Sequence, residues 1–108
     1  MFRRIGRKDT GVIKTPEEAY CYALDIVEPV PELEDIIAED PEYSYRYARD
    51  ILEGRFKKGE RAIARDAKYS YEYAKNILKG RFEKGENTIA QSPVWSKWYA
   101  EEFNLKEF

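Results

Sequence analysis

A helix-start signal recurs four times in this chain at almost fixed spacing: Thr15-Pro16, Asp40-Pro41, Asp66-Ala67 and Ser92-Pro93, separated by 25, 26 and 26 residues. Between the signals the sequence itself returns. The segment 43–60 (YSYRYARDILEGRFKKGE) comes back at 69–86 as YSYEYAKNILKGRFEKGE, and Ile63-Ala64 comes back as Ile89-Ala90. A repeat of this period is one supersecondary unit that cannot bury its apolar face alone and must stack on its neighbours.

Each signal offers a side-chain oxygen to the free amides of a first helical turn, and three of the four are followed by Pro, which suits the first helical position. Thr15 with Glu18 also fits a capping box, in which the Glu reaches back to the cap amide. In the second copy Tyr43, Tyr47, Ala48, Ile51 and Leu52 share one stripe of a 3.6-residue period, whereas Arg46, Arg49, Asp50 and Glu53 lie off it. Gly54 and Gly80 stand where a left-handed helix end is wanted, with Phe56 or Phe82 tucked beneath the turn, and a shorter second helix runs to Ala64 or Ala90.

The first copy is degenerate: Tyr20, Tyr22, Ala23, Ile26 and Val27 match Tyr45, Tyr47, Ala48, Ile51 and Leu52, Pro29 replaces the Gly, and one residue is missing. The fourth is half a unit, with Trp95, Ser96, Tyr99, Ala100 and Phe103 matching Tyr69, Ser70, Tyr73, Ala74 and Ile77. The expected fold is all-α, with tandem helical-hairpin repeats (15–39, 40–65, 66–91 and the half repeat 92–108) forming seven helices in a small α-solenoid or compact helical array behind a basic arm, 1–14.

Eight of the nine tyrosines fall in the first helices of the three full repeats and the ninth, Tyr99, in the helix of the half repeat, which reads as core between repeats. A base-stacking series for single-stranded nucleic acid is the competing reading. Against it, the position of Tyr20, Tyr45 and Tyr71 becomes Lys97 in the last copy, where no further repeat covers an aromatic.

Charge is segregated along the chain. Residues 1–14 carry Arg3, Arg4, Arg7, Lys8 and Lys14 against Asp9, and residues 15–42 then carry ten acids and no base. The rest is net basic. An acidic surface of this kind, including Glu32, Glu34, Asp35 and Glu39, can occupy a basic groove on a partner. Arg55, Lys57, Lys58, Arg81 and Lys84 form a potential basic ridge, which together with the arm residues Arg3, Arg4, Arg7 and Lys8 could neutralise phosphates. Trp98 takes the place of Cys21, Arg46 and Glu72, off the core stripe, and is the aromatic most suited to anchor an interface, unless the tail residues Phe103, Leu105 and Phe108 fold over it.

Enzymatic function is not expected. There is no His, the lone Cys21 suits neither a disulfide nor a zinc site, and paired acids such as Glu17-Glu18 point to different sides of a helix. The glycines of Gly54–Glu60 and Gly80–Glu86 serve as helix stop and loop rather than as a phosphate cradle. No cofactor or metal is expected, no membrane span, and a cytoplasmic location.

The phrase Tyr47-Ala48-Arg49-Asp50-Ile51-Leu52-Glu53-Gly54-Arg55-Phe56-Lys57-Lys58-Gly59-Glu60, preceded by Asp40-Pro41-Glu42-Tyr43, resembles short tandem helical repeats of mostly uncharacterised proteins of tailed bacteriophages. The resemblance covers about residues 16–103 and transfers no catalytic residue. It implies a small effector that binds and blocks a host protein, such as an anti-CRISPR or other anti-defence factor. Nucleic-acid binding through the arm and ridge is the alternative, and the charge dipole also permits head-to-tail self-association.

Overall fold

The computed structural model describes residues 10–106 and 108. Among them are seven α-helices and no strand: α1 (Pro16–Ile26), α2 (Glu34–Ile37), α3 (Pro41–Tyr47), α4 (Glu60–Ile63), α5 (Ala67–Glu72), α6 (Glu83–Ala90) and α7 (Pro93–Glu102). Short 3-10 turns, Pro31–Leu33 and Lys57–Gly59, lead into α2 and α4.

All four predicted starts are capped. Thr15, Asp40, Asp66 and Ser92 are extended and accept from the backbone N–H three residues on, at 3.2, 2.9, 2.9 and 3.3 Å. Glu18 does reach back, but its carboxylate accepts from the Lys14 N–H at 3.3 Å, one residue before the cap.

The helix ends correct the sequence reading. α3 and α5 widen into π-helical segments, Ala48–Leu52 and Tyr73–Leu78. The left-handed residues that follow are Glu53 (φ 52°) and Lys79 (φ 54°), not Gly54 and Gly80; Val27 (φ 53°) plays this part after α1. Gly54 and Gly80 come one position later, where their N–H groups return to the carbonyls of Ala48 and Ala74, both at 3.1 Å. The glycines that packing requires are instead Gly59 and Gly85. A Cβ on Gly59 would lie 2.6 Å from both Ser44 Oγ and a ring carbon of Phe56, and one on Gly85 would collide with Ser70 Oγ.

One apolar cluster runs through all the units. It includes Ala23, Ala48, Ala74, Tyr47, Tyr73 and Tyr99, none with any exposed surface, and Phe56 and Phe82 tucked beneath their turns. Burying rings of this size contributes roughly 1.5–3 kcal/mol each, provided the hydroxyls find partners. α1 packs on α3, α3 on α5 and α5 on α7, while α4 packs on α6. No helix among the described residues is long and apolar enough to cross a membrane.

Candidate functional site

The polar interior decides which charged side chains remain available. The Tyr73 hydroxyl accepts from the Phe56 N–H at 3.0 Å and donates to Glu60 at 2.7 Å. The same contact recurs as Tyr47 with Val30 N–H (2.9 Å) and Glu34 (2.6 Å), and as Tyr99 with Phe82 N–H (2.9 Å) and Glu86 (2.6 Å). In the second and third units an arginine completes the set: Arg55 pairs with Glu60 at 2.6 Å and Arg81 with Glu86 at 2.8 Å. In the first unit the structure sets Pro29, just before Val30, at the place of Arg55 and Arg81 rather than of the Gly, so no guanidinium is supplied there. Ser44 and Ser70 add bonds to the carbonyls of Ile37 and Ile63 at 3.0 and 2.8 Å.

Glu60 has no exposed surface. Burial pushes its carboxyl up, but hydrogen bonds from Arg55, Tyr73 and Lys84 together outweigh that and hold it below the ordinary carboxylate range. The Arg81 guanidinium does the same for Glu86. Burial and the bond to Glu86 push the Tyr99 hydroxyl up to about 12.

Several residues anticipated as surface contacts therefore have internal duties. Arg55 and Arg81 each hold a glutamate of the inter-unit network while staying about half-exposed, and with Lys84 they line an open cleft of about 420 Å³. Glu34 is half-buried and bound to Tyr47, because it stands at the position of Glu60 and Glu86. Asp35 points into solvent and pairs with Lys58 at 3.4 Å. Glu32 and Glu39 are exposed, and the Glu39 carbonyl accepts from Arg65. Arg3, Arg4, Arg7 and Lys8 lie outside the described residues.

Two surfaces remain. The first is the aromatic edge of α7, where Trp98 is 49% exposed and packs edge-on against Trp95 and Tyr71, with ring centroids 5.4 and 6.1 Å apart. Val94, one turn earlier on the same helix, is 54% exposed. The tail takes another place: Phe103 and Phe108 pack on Tyr99, at 5.0 and 4.9 Å. Trp98 is thus held by two rings with its outer side in solvent.

The second is an open cleft of about 480 Å³ lined by Lys57, Lys58, Arg61, Ala64 and Lys84. Lys58 and Lys84 also reach Asp35 and Glu60, whereas among the described residues Lys57 and Arg61 have no ion-pair partner. Arg61 joins the ridge residues expected from the sequence. Its signal was the spacing from Lys57, one helical turn away, but only the junction of the second and third units brings Lys84 beside them.

Among the described residues no group of three or more Cys, Asp or Glu side chains is placed to hold a metal ion. No family model, curated protein or solved structure matches the chain.

Proposed function

We propose that this chain is a non-enzymatic protein-binding module, its repeats stacked as a short α-solenoid, which meets its partner through the α7 edge centred on Trp98. The exposed Trp98 ring carries this reading. Its position between Trp95 and Tyr71 leaves little side-chain entropy to lose on docking, as in interface hot spots. Recurrence of the Tyr-to-Glu contact across three successive junctions supports the stacking. Blocking a host protein in the cytoplasm, a defence factor included, is the form of this activity that the phage-like repeat phrase favours.

The test is a pull-down from host lysate with wild type and Trp98→Ala, folding of both being checked by circular dichroism. A partner recovered stoichiometrically by wild type and lost with Trp98→Ala supports the assignment; equal recovery by both removes Trp98 from it.

The basic cleft favours a second reading, nucleic-acid binding through Lys57, Lys58, Arg61 and Lys84 with the arm residues. Four phosphate contacts from the cleft alone would give a log–log salt slope of about −3.6 on duplex DNA, and contacts from the arm would steepen it. Absence of binding at low salt would exclude this reading.

A further inference from the structure

The two ends of the stack differ from its interior in a way that pairs them with each other. At the first internal junction Tyr20 meets two residues of the following helix: the Tyr43 ring, at 5.5 Å between centroids, and the Asp50 carboxylate, which accepts from its hydroxyl. Tyr45 repeats this with Tyr69 at 5.8 Å and with Asn76, whose amide donates to the Tyr45 hydroxyl at 2.9 Å. Tyr71 meets Trp95 at 5.6 Å.

In this register the next residue offered from the C-terminal end is Lys97, exposed on α7. The positions on α1 that correspond to Tyr43 and Asp50 are Glu18 and Asp25, both exposed. A residue that is aromatic at three junctions thus becomes a cation at the free end, and the positions that receive it become two acids at the other. The C-terminal face is open: Ala23, Ala48 and Ala74 are fully buried beneath following units, but their counterpart Ala100 is only half-buried.

We infer that a second copy of this chain docks its α1 face on the α7 end, continuing the internal junction, with Lys97 seated between Glu18 and Asp25 of the incoming copy. The contact is heterologous, so it propagates head to tail rather than closing a two-fold dimer. At longer range the ten acids of the segment 15–42, which holds no base, face a net basic segment 43–91. In the C-terminal segment 92–108 itself, Lys97 and Lys106 stand against Glu101, Glu102 and Glu107 in the sequence, so the contact rests on the placement of Lys97 rather than on net charge. Trp98 neighbours Lys97 on α7, but its ring packs back on Tyr71, and the charge-reversal variants below leave that ring unchanged. Either assignment can therefore fail without the other.

Sedimentation velocity of the full chain tests it, over a concentration series at an ionic strength of about 0.02 M and again at about 0.5 M, where exposed charges are screened within a few ångströms. The expected result is a mass that grows with concentration at low salt and falls back towards the monomer at high salt. Lys97→Glu and Asp25→Lys, both at exposed positions, should each raise the concentration for half-association by about tenfold or more. An equimolar mixture of the two variants should recover wild-type association, since each supplies the charge that the other's end now needs. A monomer at every concentration, association of either variant equal to wild type, or a mixture that behaves like the separate variants would overturn the inference.

Discussion

The Tyr73 hydroxyl bonds the Glu60 carboxylate, thirteen residues earlier in the chain and in the preceding repeat, while it accepts from the Phe56 N–H. One side chain thereby satisfies a buried carboxylate and a buried amide across a junction of units. Tyr73→Phe keeps the ring packing but strands the Phe56 amide and removes one Glu60 partner. The expected cost is about 1–3 kcal/mol in urea unfolding, a loss of several degrees in Tm for a chain of this size. Unchanged stability would show that the hydroxyl is dispensable.

Glu60 and Glu86 contribute to the acid limb of stability, as does Asp50, which the Arg49 guanidinium holds down. The two glutamate carboxyls are held below the ordinary value of 4.5 in the folded state, so the stabilisation they confer is fully present above that value and is lost as pH falls through the lowered folded values. Unfolding free energy measured from pH 6 downwards should decline below about pH 4.5, and more gently in Glu86→Gln. At the alkaline limb Tyr20 and Tyr99 are raised from 10.0 to about 12, so the stabilisation they confer is present below pH 10 and lost as pH rises towards 12. Ultraviolet titration should show their ionisation above that of exposed tyrosines.

Gly59→Ala should cost about 1–3 kcal/mol, because the new methyl overlaps Ser44 and Phe56. Gly54→Ala should cost less, since the nearest atom to its Cβ is the Leu52 carbonyl oxygen at an ordinary 3.8 Å. In the first unit the corresponding positions are Leu33, in the 3-10 turn before α2, and Ala19 on α1, both buried: the larger residue in place of the glycine goes with a smaller one in place of the serine. Parallel thermal melts of the two alanine variants check the order.

Val27, Glu53 and Lys79 hold the left-handed conformation that L side chains adopt at a cost, and Val27 is branched at Cβ as well as 78% exposed. Val27→Gly should therefore stabilise, by about 0.5–1 kcal/mol, despite the freedom glycine adds to the unfolded chain. A lower Tm would show that the valine makes contacts worth more than the strain it carries.

The starts of α1, α3, α5 and α7 were legible because a cap and its first turn lie within four residues of each other. The core tyrosines were legible because a 3.6-residue stripe repeats at the period of the units. The π-helical ends were not: they depend on where each widened turn meets its neighbour, and Asp50 and Asn76, which lie within those turns, bond tyrosines of the preceding unit. Part of the buried network had a sequence signal, since Glu34, Glu60 and Glu86 recur at the period of Tyr47, Tyr73 and Tyr99.

By itself the sequence determined the helical class, the period, the helix starts and the aromatic face of each unit, all set by interactions within a turn or two of chain. Only the tertiary structure decided which charges face solvent. It tied Arg55, Arg81 and Glu34 to partners, the two arginines staying about half-exposed, and left Lys57 and Arg61 exposed without an ion pair among the described residues. The physical reason is that a buried hydroxyl or carboxylate must find its partner wherever packing brings one, and here packing brings it from thirteen or seventeen residues away.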